Sequence, residues 1–495
     1  DIGSTDVVCE QYKLDTNAPT LASATVYFDK GDNRLTDLLN ITSASGYNIS
    51  CDKEYVSELE LSNNTVNCTI TSNNGQTLNQ SIVFAPNRLK TAGYQVDTFL
   101  GSTTLKSKIE TLTMLDYIKI PNNAKEVVDV SEQQNRSIMA WYIDNDNNGM
   151  YELYIGQNGG VVANSTSNFL FKDLINVTTM DIKVLDTTNV TTMGEMFIHM
   201  RKLERLDLSN FDTSNVTNMG FMFMWMTNLV ELDVSNFDTS KVTNMESMFL
   251  NLNKVTELDI SGFDTSKVTD MNAMFYGLNN LTELDVSSFD TSKVTDMSSM
   301  FCGMGSLREL DVSGFDTSQV TDMSFMFNGT SSLTELNVSN FDTSQVTDMT
   351  CMFYEMSNLA SLDISNFDTS NVTNMQRMFN QCHELTELDV SSFNTSKVTH
   401  MGGMFSGTKN IKILDLSNFD TTNVTDMGGM FDEMHALKEL NISNFDITNV
   451  AEYEGMFLYA VGNPTITVKD DTVKTWIEAR LSEVNTTGTV IVQTS

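Results

Sequence analysis

Four prolines and 26 glycines in 495 residues are too few for a collagen-like or proline-rich chain, and 40% hydrophobic residues are too many for a disordered one. Basic residues are scarce: 29 Lys and Arg stand against 65 Asp and Glu, a net charge of −36. That excess opposes phosphate backbones and anionic lipid, so nucleic acid is not an expected partner. No apolar run approaches the ~18 residues of a membrane helix, and no span is expected in this chain. The six cysteines, Cys9, Cys51, Cys68, Cys302, Cys351 and Cys382, form no C-x-x-C pair of the kind that binds zinc or does redox chemistry. Gly-rich phosphate loops, G-x-S-x-G elbows and H-E-x-x-H pairs do not occur, so the expectation is a protein that is not an enzyme. The opening at Asp1, without Met or an apolar leader, reads as a processed or trimmed start.

What the chain has in abundance is a repeat. The segment F-D-T-S or a close variant recurs at Phe211, Phe237, Phe263, Phe289, Phe315, Phe341, Phe367, Phe393, Phe419 and Phe445, always 26 residues apart. Leu185 holds the same column one step earlier, and Met-Phe pairs recur in phase from Met196-Phe197 to Met456-Phe457, making eleven copies without an insertion. In one unit, Leu284 and Val286 point to one side and Glu283 and Asp285 to the other, a strand pattern. Asp290, Thr291 and Ser292 suit a turn, because short polar side chains bond to nearby backbone amides. Residues 294–297 suit a second extended segment. Met297, Met300 and Phe301, at offsets of three and four, predict a helical turn facing inward. A single copy cannot offset the entropy of ordering its backbone, so neighbours must stack and bury one another's faces.

The unit L-T-E-L-D-V-S-S-F-D-T-S-K-V-T-D-M-S-S-M-F, residues 281–301, resembles the short repeats of BspA-like leucine-rich-repeat surface proteins and related bacterial surface lipoproteins. The likeness covers residues 130–480, and the V-T-D-M and M-F columns make it specific. It implies an α/β leucine-rich-repeat solenoid displayed on the bacterial cell surface and engaged in adhesion to host, matrix or neighbouring-cell proteins.

The rest of the chain divides around this array. Residues 1–15 form an N-terminal arm, and 16–86, with short alternating apolar runs, suit a β-sandwich of immunoglobulin type. Residues 87–131 are a connector with a helix near 107–115. Residues 132–180 hold a cap hairpin whose strands, 137–143 and 150–155, present aromatic residues. The solenoid proper is 181–460, and 461–495 is a C-terminal cap with a strand at 465–468, a helix over 470–484 and a last strand at 490–492.

Several columns invite chemistry. The methionines read as core filler rather than soft-metal ligands. His199, His383, His400 and His435 are too scattered for one metal. Asp144, Asp146, Asn148, Gly149 and Glu152 imitate the start of a calcium loop, but Ile155 stands where the bidentate Glu belongs; no cofactor is expected, and Ca²⁺ is the one ion such a loop admits. The exposed threonine spacing does not fit ice binding, and sequons such as the one at Asn371 follow from an Asn- and Thr-rich repeat. Cys51 and Cys68, at alternating inward positions of two predicted strands, are expected to pair, with Cys302, Cys351 and Cys382 buried and free.

The outward acidic columns are the candidate binding face: Glu231, Asp233, Glu257, Asp259, Glu283, Asp285, Glu309 and Asp311. Like charges so stacked repel, and either Lys241, Lys267, Lys293 and Lys397 on the turns screen them or a basic protein segment or divalent cation does. The expected function is non-enzymatic binding and adhesion to an extracellular protein or cell-surface ligand. A structural subunit of a surface layer or extracellular filament, self-assembling through strand exchange in the N-terminal domain, is the alternative.

Overall fold

A computed structural model describes residues 18–42, 46–93 and 106–493. The N-terminal arm, Cys9 and part of the connector lie outside the described residues. Among the described residues regular structure is mostly β, in five separate sheets, with one α-helix near the C-terminus.

The N-terminal elements are β1 (Thr20–Leu21), β2 (Thr25–Phe28), β3 (Ile41–Thr42), β4 (Tyr47–Cys51), β5 (Asn64–Ser72) and β6 (Thr77–Pro86). Four of them make one sheet in the order β2-β6-β5-β4, with β2 parallel to β6. Val66, Cys68, Ile82 and Phe84 alternate onto one face and pack on Phe28, Leu35, Leu39 and Val56. The expected two-sheet sandwich is replaced by this single sheet: its second layer is only the β1–β3 pair and two short 3-10 turns at Leu35–Leu38 and Val56–Glu58.

The connector is not a linker. Its expected helix is a strand, β7 (Ile109–Leu115), preceded by a 3-10 turn at Lys106–Lys108. Ile109, Leu112 and Met114 are buried, and the run Ile-Glu-Thr-Leu-Thr-Met-Leu is too β-branched to favour a helix. It joins β8 (Glu126–Asp129), β9 (Ile138–Ile143), β10 (Tyr151–Gln157) and, beyond β11 (Val161–Val162), β12 (Thr179–Asp181) in one sheet ordered β12-β7-β10-β9-β8. Strands β9 and β10 form an antiparallel hairpin, with Trp141 stacked on Tyr154 at 5.8 Å.

Through the repeats the chain carries few assigned strands. β13 (Leu185–Asp186) pairs with β11 at the start; β14 (Ile413–Asp415) and β15 (Glu439–Ile442) lie at the end, followed by β16 (Thr465–Val468), α1 (Asp471–Glu483) and β17 (Thr489–Val492). Between them the copies are joined by a ladder of parallel bridges, one per 26 residues, running from Thr166 through Thr192, Asn218, Asn244, Asp270, Asp296, Asp322, Asp348, Asn374, His400 and Asp426 to Glu452. From each copy to the next, the ladder extends into the Met-Phe corner: Met297, Ser299, Phe301 and Gly303 donate their N–H groups to the carbonyls of Asp322, Ser324, Met326 and Asn328.

That corner is not the expected helical turn. Met300, Cys302 and Met304 each bond three residues back, to Met297, Ser299 and Phe301, while Ser299 sits at φ 58° and Gly303 at φ 74°. It is a run of tight turns through left-handed residues. The inward assignment nevertheless holds: Leu284, Val286, Met297, Met300 and Phe301 are buried in one continuous core that runs from Leu89 to Val490. Phe rings stack copy on copy along its axis, as at Phe275, Phe301 and Phe327, 5.8 Å apart. At the C-terminal end Asp470 caps α1 by accepting from the Thr472 and Val473 N–H groups, and Val473, Ile477 and Leu481 close the core.

Candidate binding face

Each copy presents its L-x-x-L-x-V segment with the leucine and valine buried and the acids outside. Glu231, Asp233, Glu257, Asp259, Glu283, Asp285, Glu309 and Asp311 are all exposed and lie on this one edge of the repeat. The aspartates are fixed in place. Asp233 accepts from Ser235 N–H at 3.0 Å and its hydroxyl at 2.7 Å; Asp259 does the same with Ser261, and Asp285 and Asp311 accept from the Ser287 and Ser313 N–H groups at 2.9 Å. These serine hydrogen bonds hold all four carboxyls below the usual aspartate range, against weaker opposition from residual burial and, for Asp233, Asp259 and Asp311, neighbouring aspartates. Of the glutamates, Glu231 pairs with Arg205 at 2.7 Å between two well-exposed side chains.

The four turn lysines do not screen this face. Lys241 donates to Asn215 Oδ1, Lys267 to Ser240 O, Lys293 to Ser266 O and Lys397 to Asn371 Oδ1, each reaching the turn of the preceding copy at 2.7–2.8 Å. Their charge falls on the turn aspartates instead, Asp264 among them.

The copies also part along this edge. Bridges at Asp270 and Asp296 bind neighbours on the opposite side of the repeat, whereas the L-x-L-x-V segments of the central copies exchange only scattered bonds, such as Arg308 N–H to Thr282 O. Grooves open between them: about 500 Å³ between residues 256–259 and 282–285, about 290 Å³ between 205–209 and 231–233, and about 690 Å³ across residues 361–363, 387–391 and 413–418. The walls carry the predicted acids, with Leu362 half-buried and Ile413 exposed in the largest. Among the described residues, a continuous strand ladder along this edge is found toward the C-terminus, where β14, β15, β16 and β17 pair in register.

One acidic column was not singled out from sequence. Asp270, Asp296, Asp322 and Asp348 line the bridge ladder half-buried, each accepting from the N–H two residues on. Burial, with Asp296 beside it, pushes the Asp270 carboxyl up; burial, with Asp270, Asp296 and Glu195 nearby, does the same to Glu246. The V-T-D-M motif carried the signal: a fixed Asp between two inward residues.

The remaining candidates fall into place. Cys51 and Cys68 form a disulfide between β4 and β5. Cys302, Cys351 and Cys382 are buried thiols, the first two pushed up to about 11 by burial. In the calcium-like loop Asp146 accepts from Asn148 N–H and Asn148 from Met150 N–H, so its oxygens close the hairpin turn. Among the described residues no three His, Cys, Asp or Glu side chains come together as a metal site, and no helix is long and apolar enough to cross a membrane.

A bridged, in-phase array of this kind defines a repeat protein. Four overlapping stretches, 165–283, 251–362, 274–388 and 352–468, match the family described as "Mycoplasma protein of unknown function, DUF285". Together they span more than half of the chain, which belongs to that family. Neither a curated protein nor a solved structure matches it.

Proposed function

We propose that residues 181–460 are a leucine-rich-repeat solenoid of BspA-like type, displayed outside a bacterial cell, whose acidic edge binds a basic protein or cell-surface ligand without catalysis. The observation that carries this is the acidic edge: an outward aspartate column held by Ser hydrogen bonds, with a glutamate column beside it, flanks open grooves while the turn lysines reach back to the preceding turn instead. A like-charged face costs self-repulsion, and a cationic partner would relieve it. The adhesive role and the external location come from the family resemblance of the repeat unit.

Binding of fluorescent polylysine, and adhesion of protein-coated beads to cultured cells, would be measured against salt. Both should weaken as salt rises and be lost when Glu257, Asp259, Glu283, Asp285, Glu309 and Asp311 are together changed to Gln or Asn. Full binding by that variant would move recognition to the turns or the N-terminal sheet. A second proposal, a subunit of a surface layer or filament, is favoured by β17, an open edge strand with Ile491 exposed. Electron microscopy at rising concentration tests it.

A further inference from the structure

Strand β4 is the outer edge of the N-terminal sheet, and its geometry says which backbone groups face outward. Asp52 N–H donates to Asn67 O and Asn73 N–H to Gly46 O, which sets the even-numbered residues as the bonded pairs with β5. Tyr47, Ile49 and Cys51 are therefore the non-bonded pairs, consistent with the 4.1 Å Cα separation of Cys51 and Cys68. Their N–H and C=O groups point away from the sheet, and among the described residues nothing bonds to them. The strand lines a groove of about 560 Å³ whose other walls are Arg34, Thr36, Asp37, Leu39, Lys53 and Glu54.

Edge strands of soluble proteins are usually blunted by charge, proline or a bulge. β4 has none of these: Tyr47, Asn48, Ile49, Ser50 and Cys51 are uncharged, the pairing with β5 is continuous, and the disulfide ties the strand to its neighbour. We propose that β4 is a dimerisation edge, pairing antiparallel with β4 of a second copy of this chain about a two-fold axis at Ile49. The strand is self-complementary in that register. Ile49 faces Ile49 of the second copy, Tyr47 faces Cys51 and Cys51 faces Tyr47, so every outward donor meets an outward acceptor. Charge favours this place over the repeats for contact between copies: residues 18–86 carry seven acidic and three basic residues, whereas residues 181–460 carry 40 and 14, so two copies repel less at the N-terminal sheet. The interface is isologous and closed: it yields a dimer, not a filament, and it does not depend on what the acidic edge binds.

Sedimentation of the full chain from about 1 to 100 µM should show a reversible monomer–dimer equilibrium. Tyr47→Pro removes an outward N–H without touching a bond to β5, and Tyr47 is 41% exposed, so the fold should persist by circular dichroism. It should weaken the dimer about tenfold or more, since one bond is lost in each half of the symmetric pair. Without any substitution, hydrogen exchange at the Tyr47, Ile49 and Cys51 amides should be slow at high concentration and fast on dilution. A monomer throughout, a dimer indifferent to Tyr47→Pro, open-ended oligomers, or edge amides whose exchange ignores concentration would each overturn the proposal.

Discussion

At the scale of single residues, two sets of acidic side chains have opposite pH behaviour. Asp233, Asp238, Asp259, Asp285, Asp290 and Asp311 are lowered by Ser hydrogen bonds, so the stability they add is present above the ordinary carboxylate range and lost as pH falls through their folded-state values. Glu246 and Asp270 are raised by burial, so folding prefers them protonated, and stability is gained as pH falls through their raised values toward the ordinary carboxylate range. The melting temperature should therefore rise on acidification from neutrality into the mildly acid range and fall below it. A steady decline from pH 7 in a melting series would contradict this assignment. Asp270→Asn should keep the cap on Asn272 N–H while removing repulsion from Asp296, as Asn244 already does one copy earlier. The expected gain is a few tenths of a kcal/mol, the scale of screened, part-exposed pairs, read from the urea midpoint.

At the scale of the repeat unit, the hydroxyl of a buried threonine ties each turn to the next. Thr291 Oγ1 donates to Asp316 O and accepts from Asp316 N–H, both at 2.8 Å, with the side chain almost wholly buried. Thr291→Val keeps the shape and leaves both backbone groups of Asp316 unpaired, so a loss of about 2 kcal/mol is expected. Phe301→Ala, which cuts the ring stack between Phe275 and Phe327, should cost about 3 to 5 kcal/mol. Urea melts of both, with the exposed Ser288→Ala as a near-neutral reference, check the ranking; a Thr291 variant indistinguishable from Ser288→Ala would sink the bridging role. The inward columns were legible in sequence because alternation and fixed phase leave Leu284, Val286 and Phe301 no other side. The corner was not, because offsets of three and four between Met297, Met300 and Phe301 suit successive tight turns as well as a helix. Its signal lay elsewhere, in the glycines at 277, 303, 329 and 407, one column needing φ near +73°. The acidic columns were legible as a face, but the grooves between them were not: periodicity fixes which side a residue faces, not how far apart neighbours stand along that side.

At the scale of the whole molecule, the repeat's contacts decide what can be removed. Backbone bonds from residues 295–303 stay within the copy or go to the copy before and the copy after, and each Phe ring stacks on its neighbours alone. Stability is then a sum of nearly equal nearest-neighbour steps, and no copy is unique to the fold. Deleting residues 281–306 brings Leu307 directly after Asn280, where Leu281 stood, and every column of the following copies meets its counterpart unchanged. The shortened chain should fold, with a melting temperature within a few degrees of the parent and a urea slope reduced in proportion to the surface lost. Deleting half a unit, residues 281–293, sets Ser299 in the buried column of Val286 and Phe301 in the exposed column of Ser288, so it should give a chain that unfolds in two parts, one on each side of the break. Limited proteolysis distinguishes the outcomes: cleavage near residue 280 is expected in the half-unit deletion and not in the full one. Equal damage from both deletions would mean that the copies are held by something other than contact with their neighbours.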